Sequence, residues 1–132
     1  MRAPRRLRHA IAGLLLAACA GPGPVPRPED FPRHTAAPHF DLHWRVTRED
    51  SVARAVGIVV PTVSDFSSLT LQLRALDTSG RAVSSALAPV ARRAFGTAPN
   101  PFEIRLRLRG QEADFEVWVW ESVLVGDQMA DR

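Results

Sequence analysis

From Phe40 onward, apolar side chains recur at every second residue, and that period constrains the fold more than any other feature. Phe40, Leu42, Trp44 and Val46 alternate with Asp41, His43, Arg45 and Thr47. Leu69, Leu71, Leu73 and Ala75 alternate with Thr70, Gln72 and Arg74. Phe102, Ile104, Leu106 and Leu108 alternate with Glu103, Arg105, Arg107 and Arg109, and Phe115, Val117 and Val119 with Glu116, Trp118 and Trp120. A two-residue period puts alternate side chains on opposite faces of an extended chain, so each run reads as a half-buried β-strand. The run from Val52 to Val60 is rich in β-branched residues and ends at Pro61, and Arg81 to Leu87 is a weaker strand. Asp77-Thr78-Ser79-Gly80 supplies a turn between strands, with Gly at a left-handed position. Residues 88–101 read as a loop with room for a short edge strand near Val90 to Phe95. No segment carries a helical period. Six strands, with that edge strand as a seventh, predict an all-β fold: a small antiparallel immunoglobulin-like sandwich. The chain has a single Cys, so no internal disulfide can join the sheets and apolar packing must hold them.

The last two strands are expected to form a hairpin. Pairing Arg109 with Asp114 sets Leu108, Leu106 and Ile104 opposite Phe115, Val117 and Val119, with Arg107 opposite Glu116 and Arg105 opposite Trp118. A slip of one residue would set Leu beside Glu.

The first 38 residues have a different character. Arg2, Arg5, Arg6 and Arg8 precede the apolar run Ala10 to Ala18, the layout of a secretory signal peptide. The run is under half the length of about 20 residues that a membrane-spanning helix needs. The net charge of +3 comes from this leader. The thirteen arginines that follow it are outnumbered by fourteen acidic groups, so the remainder carries about −1. That balance argues against nucleic-acid binding. Leu16-Ala17-Ala18-Cys19 resembles the lipobox of bacterial lipoproteins. The resemblance implies that the Cys19 sulfur receives a diacylglycerol thioether. Cleavage before Cys19 then frees an amine for acylation by a further fatty chain. Two or three acyl chains anchor stably where one holds only marginally. Ala20, rather than Asp, implies the outer membrane where the cell has two. Pro at 22, 24, 26, 28, 32 and 38 lacks an amide donor and predicts a disordered tether. The expected organisation is therefore a leader over 1–18, a lipidated Cys and tether over 19–38, a sandwich over 39–126 and a tail over 127–132.

The sandwich itself resembles bacterial lipoprotein domains of the FxLYD type over residues 45–121. The shared pattern is a strand with a central Gly, Val56-Gly57-Ile58-Val59-Val60, followed by a Leu-alternating strand that ends in Asp and a Gly turn. Here these are Leu73-Arg74-Ala75-Leu76-Asp77 and Gly80-Arg81-Ala82-Val83. Asp77 and the Gly turn match, while Leu73, Ala75 and Leu76 stand at the pattern's first, third and Tyr positions. The resemblance implies an immunoglobulin-like sandwich and no settled chemistry.

Three groups of residues could carry function. His39, Asp41 and His43 share one face of the first strand and could offer a pair of metal ligands, a further ligand being needed from another strand. Trp118 and Trp120, with Arg105 nearby, form a candidate partner surface if Phe115, Val117 and Val119 face the core. Arg92 and Arg93 with Arg105, Arg107 and Arg109 lie among Glu103, Asp114 and Glu116, a mixed surface. No serine stands in a nucleophile-elbow setting, and there is neither a Gly-rich phosphate loop nor a zinc-protease motif. The expectation is a non-enzymatic envelope lipoprotein needing no cofactor. It is anchored to the membrane at Cys19 and serves as an interaction or assembly module for an envelope protein partner. The alternative is an envelope ligand- or metal-binding protein using the His39/Asp41/His43 face.

Overall fold

The computed structural model describes residues 25–92 and 96–126. The leader over 1–18, Cys19 and the tail over 127–132 lie outside the described residues. A 3-10 turn over Pro28–Asp30 is followed by seven strands: β1 Arg33–Ala37, β2 Phe40–Glu49, β3 Val52–Pro61, β4 Phe66–Leu76, β5 Ala82–Pro89, β6 Asn100–Arg107 and β7 Asp114–Leu124. They form a four-stranded sheet in the order β1-β2-β3-β6 and a three-stranded sheet in the order β5-β4-β7, every pair antiparallel. The fold is the expected all-β sandwich, with the four-and-three division of a constant-type immunoglobulin domain. Its strand order is its own, because β1, β2 and β3 run as an unbroken meander in one sheet.

Alternation decides which side chains turn inward. Phe40, Leu42 and Trp44 of β2 face Phe66, Leu71 and Leu73 of β4 and Phe115 and Val117 of β7 in one buried cluster. Phe40 and Phe66 meet edge to face at 5.9 Å between ring centroids. Ala53, Ala55 and Gly57 face inward from β3 ahead of the larger Val59, and their small size leaves room for larger neighbours. A Cβ on Gly57 would lie 2.8 Å from Trp44 Cβ and 2.9 Å from the Phe102 ring. No side chain fits there, which explains a glycine in mid-strand.

Three expectations are corrected. The tether does not reach residue 38, because Arg33–Ala37 pairs with β2 along its whole length, from Arg33 opposite Trp44 to Ala37 opposite Phe40. Pro32 and Pro38 flank the five residues of β1 without interrupting them, and each of the five keeps its N–H. The turn Pro38-His39 closes the β1–β2 hairpin, with His39 at φ 69°. Upstream, the Arg27 N–H donates to Asp30 Oδ2 at 2.9 Å across the 3-10 turn.

The expected hairpin of the last two strands is not formed. β6 pairs with β3 and β7 with β4, so the two strands belong to opposite sheets. Their apolar residues do face the same core, but across it. The linker has the length to cross the roughly 10 Å between stacked sheets. It is held by Glu112, which accepts from the backbone N–H of Arg109 at 2.6 Å and of Gly110 at 2.8 Å. The seventh strand is thus β1. Val90 instead lies just past β5, donates its N–H to Leu69 O at 2.9 Å and packs into the core; Ala91 and Arg92 form no strand, and residues 93–95 lie outside the described residues.

Candidate interaction surface

β7 is an edge strand, and its outward residues Trp118 and Trp120 are 41% and 58% exposed. Register places them among specific neighbours. Gln72 of β4 lies between Trp118 and Leu87, and Arg74 between Glu116 and Ser85. The outer face of this sheet therefore carries a row Leu87–Gln72–Trp118, with Leu87 50% exposed. Beside it, Arg74 Nη2 donates to Glu116 Oε2 at 2.7 Å, and the Trp118 indole N–H donates to the same oxygen at 2.9 Å. The Arg74 guanidinium also sits 5.5 Å from the Trp118 ring centroid, a cation–π distance. One carboxylate and one guanidinium thus fix the indole in place.

Trp120 is positioned differently. The ladder with β4 shifts between Thr70 and Leu71: Val119 pairs with Leu71 and Glu121 with Thr70, which leaves Trp120 as the extra residue of a β-bulge. Bulges re-aim side chains, and this one places Trp120 and Glu121 in succession on the exposed side.

Trp118 also borders a groove of about 530 Å³ at the seam between β7 and β1, with Arg33, His34, Trp44 and Glu116. Arg33 braces the seam. It donates to Phe115 O and to Asp114 Oδ1, both at 2.9 Å, and lies 5.0 Å from the Trp44 ring centroid. The Trp44 indole N–H is satisfied by Thr35 Oγ1 at 3.1 Å. Hydrogen bonding to its own Phe115 N–H, with help from Arg33, holds the Asp114 carboxyl below its ordinary range.

Arg105 is not part of this surface. It lies on the outer side of the other sheet, bonded to Glu103 at 2.8 Å, with the core between it and the tryptophans. Arg74 takes the place expected for it beside Trp118. The expected pairing of Arg107 with Glu116 fails for the same reason, and Glu116 belongs to Arg74.

The structure also redistributes the histidine face. His39 sits in the β1–β2 turn rather than on the strand. His43 stays on the outer side of β2 and meets His34 of β1, its direct cross-strand partner, with rings stacked at 4.6 Å and 12° apart. His34 Nε2 lies 3.1 Å from Asp41 Oδ1. Burial and the neighbouring His34 lower the His43 pKa, against smaller opposing effects of Asp41 and Glu29. Among the described residues no group of three or more His, Cys, Asp or Glu is placed to hold a metal ion. His34 escaped sequence reasoning because it lies in the Pro-rich segment, outside the alternating region.

Among the described residues no helix is long and apolar enough to cross a membrane. Comparison with protein-family models, with curated proteins and with solved structures finds no match to this chain.

Proposed function

We propose that the chain is a bacterial envelope lipoprotein, held by lipid on Cys19, whose sandwich works as a non-enzymatic interaction or assembly module. The observation that carries the module is the pair of exposed tryptophans on one sheet face, one locked by Glu116 and Arg74 and one thrust out by a bulge. A contiguous exposed apolar patch marks an interaction site where single scattered side chains do not, and Trp and Arg are enriched among the residues that dominate the energetics of protein interfaces. The support for the anchor is Leu16-Ala17-Ala18-Cys19 at the end of the leader, and Ala20 favours the periplasmic face of an outer membrane.

The two halves of the reading are tested separately. Cys19→Ser is expected to move the protein from the membrane fraction to the soluble fraction, and mass spectrometry is expected to find the wild-type Cys19 acylated. A bare thiol on membrane-derived protein would end the lipoprotein reading. A photo-crosslinker at Trp120 is expected to capture a specific envelope protein, and Trp118→Ala is expected to reduce that capture while the melting temperature stays within a few degrees. Undiminished capture in Trp118→Ala would remove the tryptophan face from the function.

A further inference from the structure

The opposite face of the sandwich carries a groove of about 780 Å³ over β2, β3 and β6. Its lining is divided by chemistry. Pro26, Phe31, Val56 and Pro101 supply apolar surface, and Arg45, Arg54 and Glu103 stand beside them. Arg54 and Arg105 are direct cross-strand partners, two like charges that would repel if left alone. Glu103 serves both: it accepts from Arg54 Nε at 2.9 Å, from Arg54 Nη2 at 3.2 Å and from Arg105 Nε at 2.8 Å. Glu49 and Asp50 share a depression with these two arginines at the β2–β3 turn, so that end of the face is balanced. Arg45 is not balanced. Its guanidinium lies 5.2 Å from the Phe31 ring centroid and pairs with no carboxylate among the described residues. The groove therefore offers one uncompensated guanidinium at the border of an apolar trough.

Chain geometry says which membrane component comes near. Pro26 lines the groove, and the described chain begins one residue before it. Cys19 lies six residues before Val25, a distance that even a fully extended chain bridges with at most about 22 Å. Acyl chains on Cys19 would keep this groove, rather than the tryptophan face, next to the bilayer.

We infer that the groove seats an anionic phospholipid of the anchoring membrane, with its phosphate on Arg45 and its apolar portion against Phe31, Val56 and Pro101. A guanidinium binds phosphate through two parallel hydrogen bonds. The trough distinguishes a lipid from free phosphate, which has nothing to lay in it. The source of the lipid rests on the lipoprotein reading; the groove's chemistry does not.

The test uses a chain that begins at residue 19 and carries Cys19→Ser, which retains every strand because β1 begins at Arg33. It is sedimented with vesicles of phosphatidylcholine, with and without roughly one third phosphatidylglycerol. Binding is expected only to the anionic vesicles. Arg45→Gln is expected to lower it about fivefold, the effect of one arginine at an anionic surface. Val56→Ser is expected to lower it as well, and Trp120→Ala to leave it unchanged. Equal binding to both vesicles, no binding, or full binding by Arg45→Gln would overturn the inference. So would complete displacement by millimolar inorganic phosphate, which would mark a site for free phosphate. None of these outcomes depends on Cys19, whose acylation in cells is read separately.

Discussion

Gly57 shows how one residue sets the spacing of the four-stranded sheet's inner face. Trp44 on one side and Phe102 on the other close over its Cα, and a methyl group there would press on both. A methyl group would also collide with the His43 carbonyl oxygen, which is backbone and cannot swing aside, so Gly57→Ala is expected to destabilise the fold by about 3 kcal/mol or more, the upper end of overpacking, read as a lower urea midpoint with an unchanged slope. Glu103 acts at the same scale through charge. Hydrogen bonds from Arg54 and then Arg105 lower its pKa from 4.5 to about 2. A carboxylate whose folded pKa lies below its unfolded value contributes stability that is fully present above the unfolded value. It loses that contribution as pH falls from about 4.5 through about 2. Glu103→Gln is expected to flatten this acid limb in urea midpoints measured across it. It is also expected to make stability at neutral pH rise with added salt, because Arg54 then faces Arg105 with no anion between them. An unaltered acid limb would show that the two ion pairs do not form in solution.

Among the elements, β1 is the one whose removal tells most. It covers the free edge of β2 along its full length, brings Thr35 to the Trp44 indole and carries Arg33 to Asp114 and Phe115 on the other sheet. A chain starting at residue 39 is therefore expected to lose at least about 2 kcal/mol, given roughly 1 kcal/mol net per hydrogen bond. It is also expected to aggregate along the exposed edge of β2. A chain starting at residue 25 is expected to melt like the longer protein. Equal stability of the two would mean that β1 is an ornament. This element also marks where reading the sequence runs out. The strands over 40–47, 69–75, 102–107 and 115–119 were legible because one buried face writes a two-residue period. RHTAA was not, since an edge strand with no fully buried side chain and no large apolar residue writes none, and its flanking prolines suggested the opposite. For β6 and β7 the inward residues could be read but the pairing could not. A hairpin and a crossing between sheets turn the same side chains toward the core, and what separates them is the pairing of β6 with β3 and of β7 with β4, strands far off in the sequence. Of the candidate site, the exposure of Trp118 and Trp120 followed from that inward assignment. The bulge at Trp120 and the partnership of Arg74 with Trp118 depend on β4, more than forty residues away in sequence, and no local pattern announces them.

At the scale of the whole molecule, the two sheets present unlike outer faces. One is marked by Leu87, Trp118 and Trp120, the other by an apolar trough with Arg45 at its border. The pairings that unite the sandwich, β3 with β6 and β4 with β7, join segments far apart in the chain, so folding is expected in milliseconds to seconds rather than microseconds, as stopped-flow fluorescence of the tryptophans would show. The entry of the chain beside the trough gives the folded molecule a direction. A short lipid-anchored lead would turn the four-stranded sheet toward the bilayer and leave the three-stranded sheet facing the aqueous space, where a partner could reach it. Cys19 is the only cysteine and would be blocked by lipid, so a cysteine introduced elsewhere is a unique label. A fluorophore on Thr47→Cys, beside the trough, is expected to be quenched by headgroup-labelled nitroxide lipids when the acylated protein sits in vesicles. The same fluorophore on Ser85→Cys, in the row of Arg74 and Glu116, is expected to stay bright. Equal quenching at both positions would mean that the domain tumbles freely on its lead, and that neither face is assigned to the membrane by the fold.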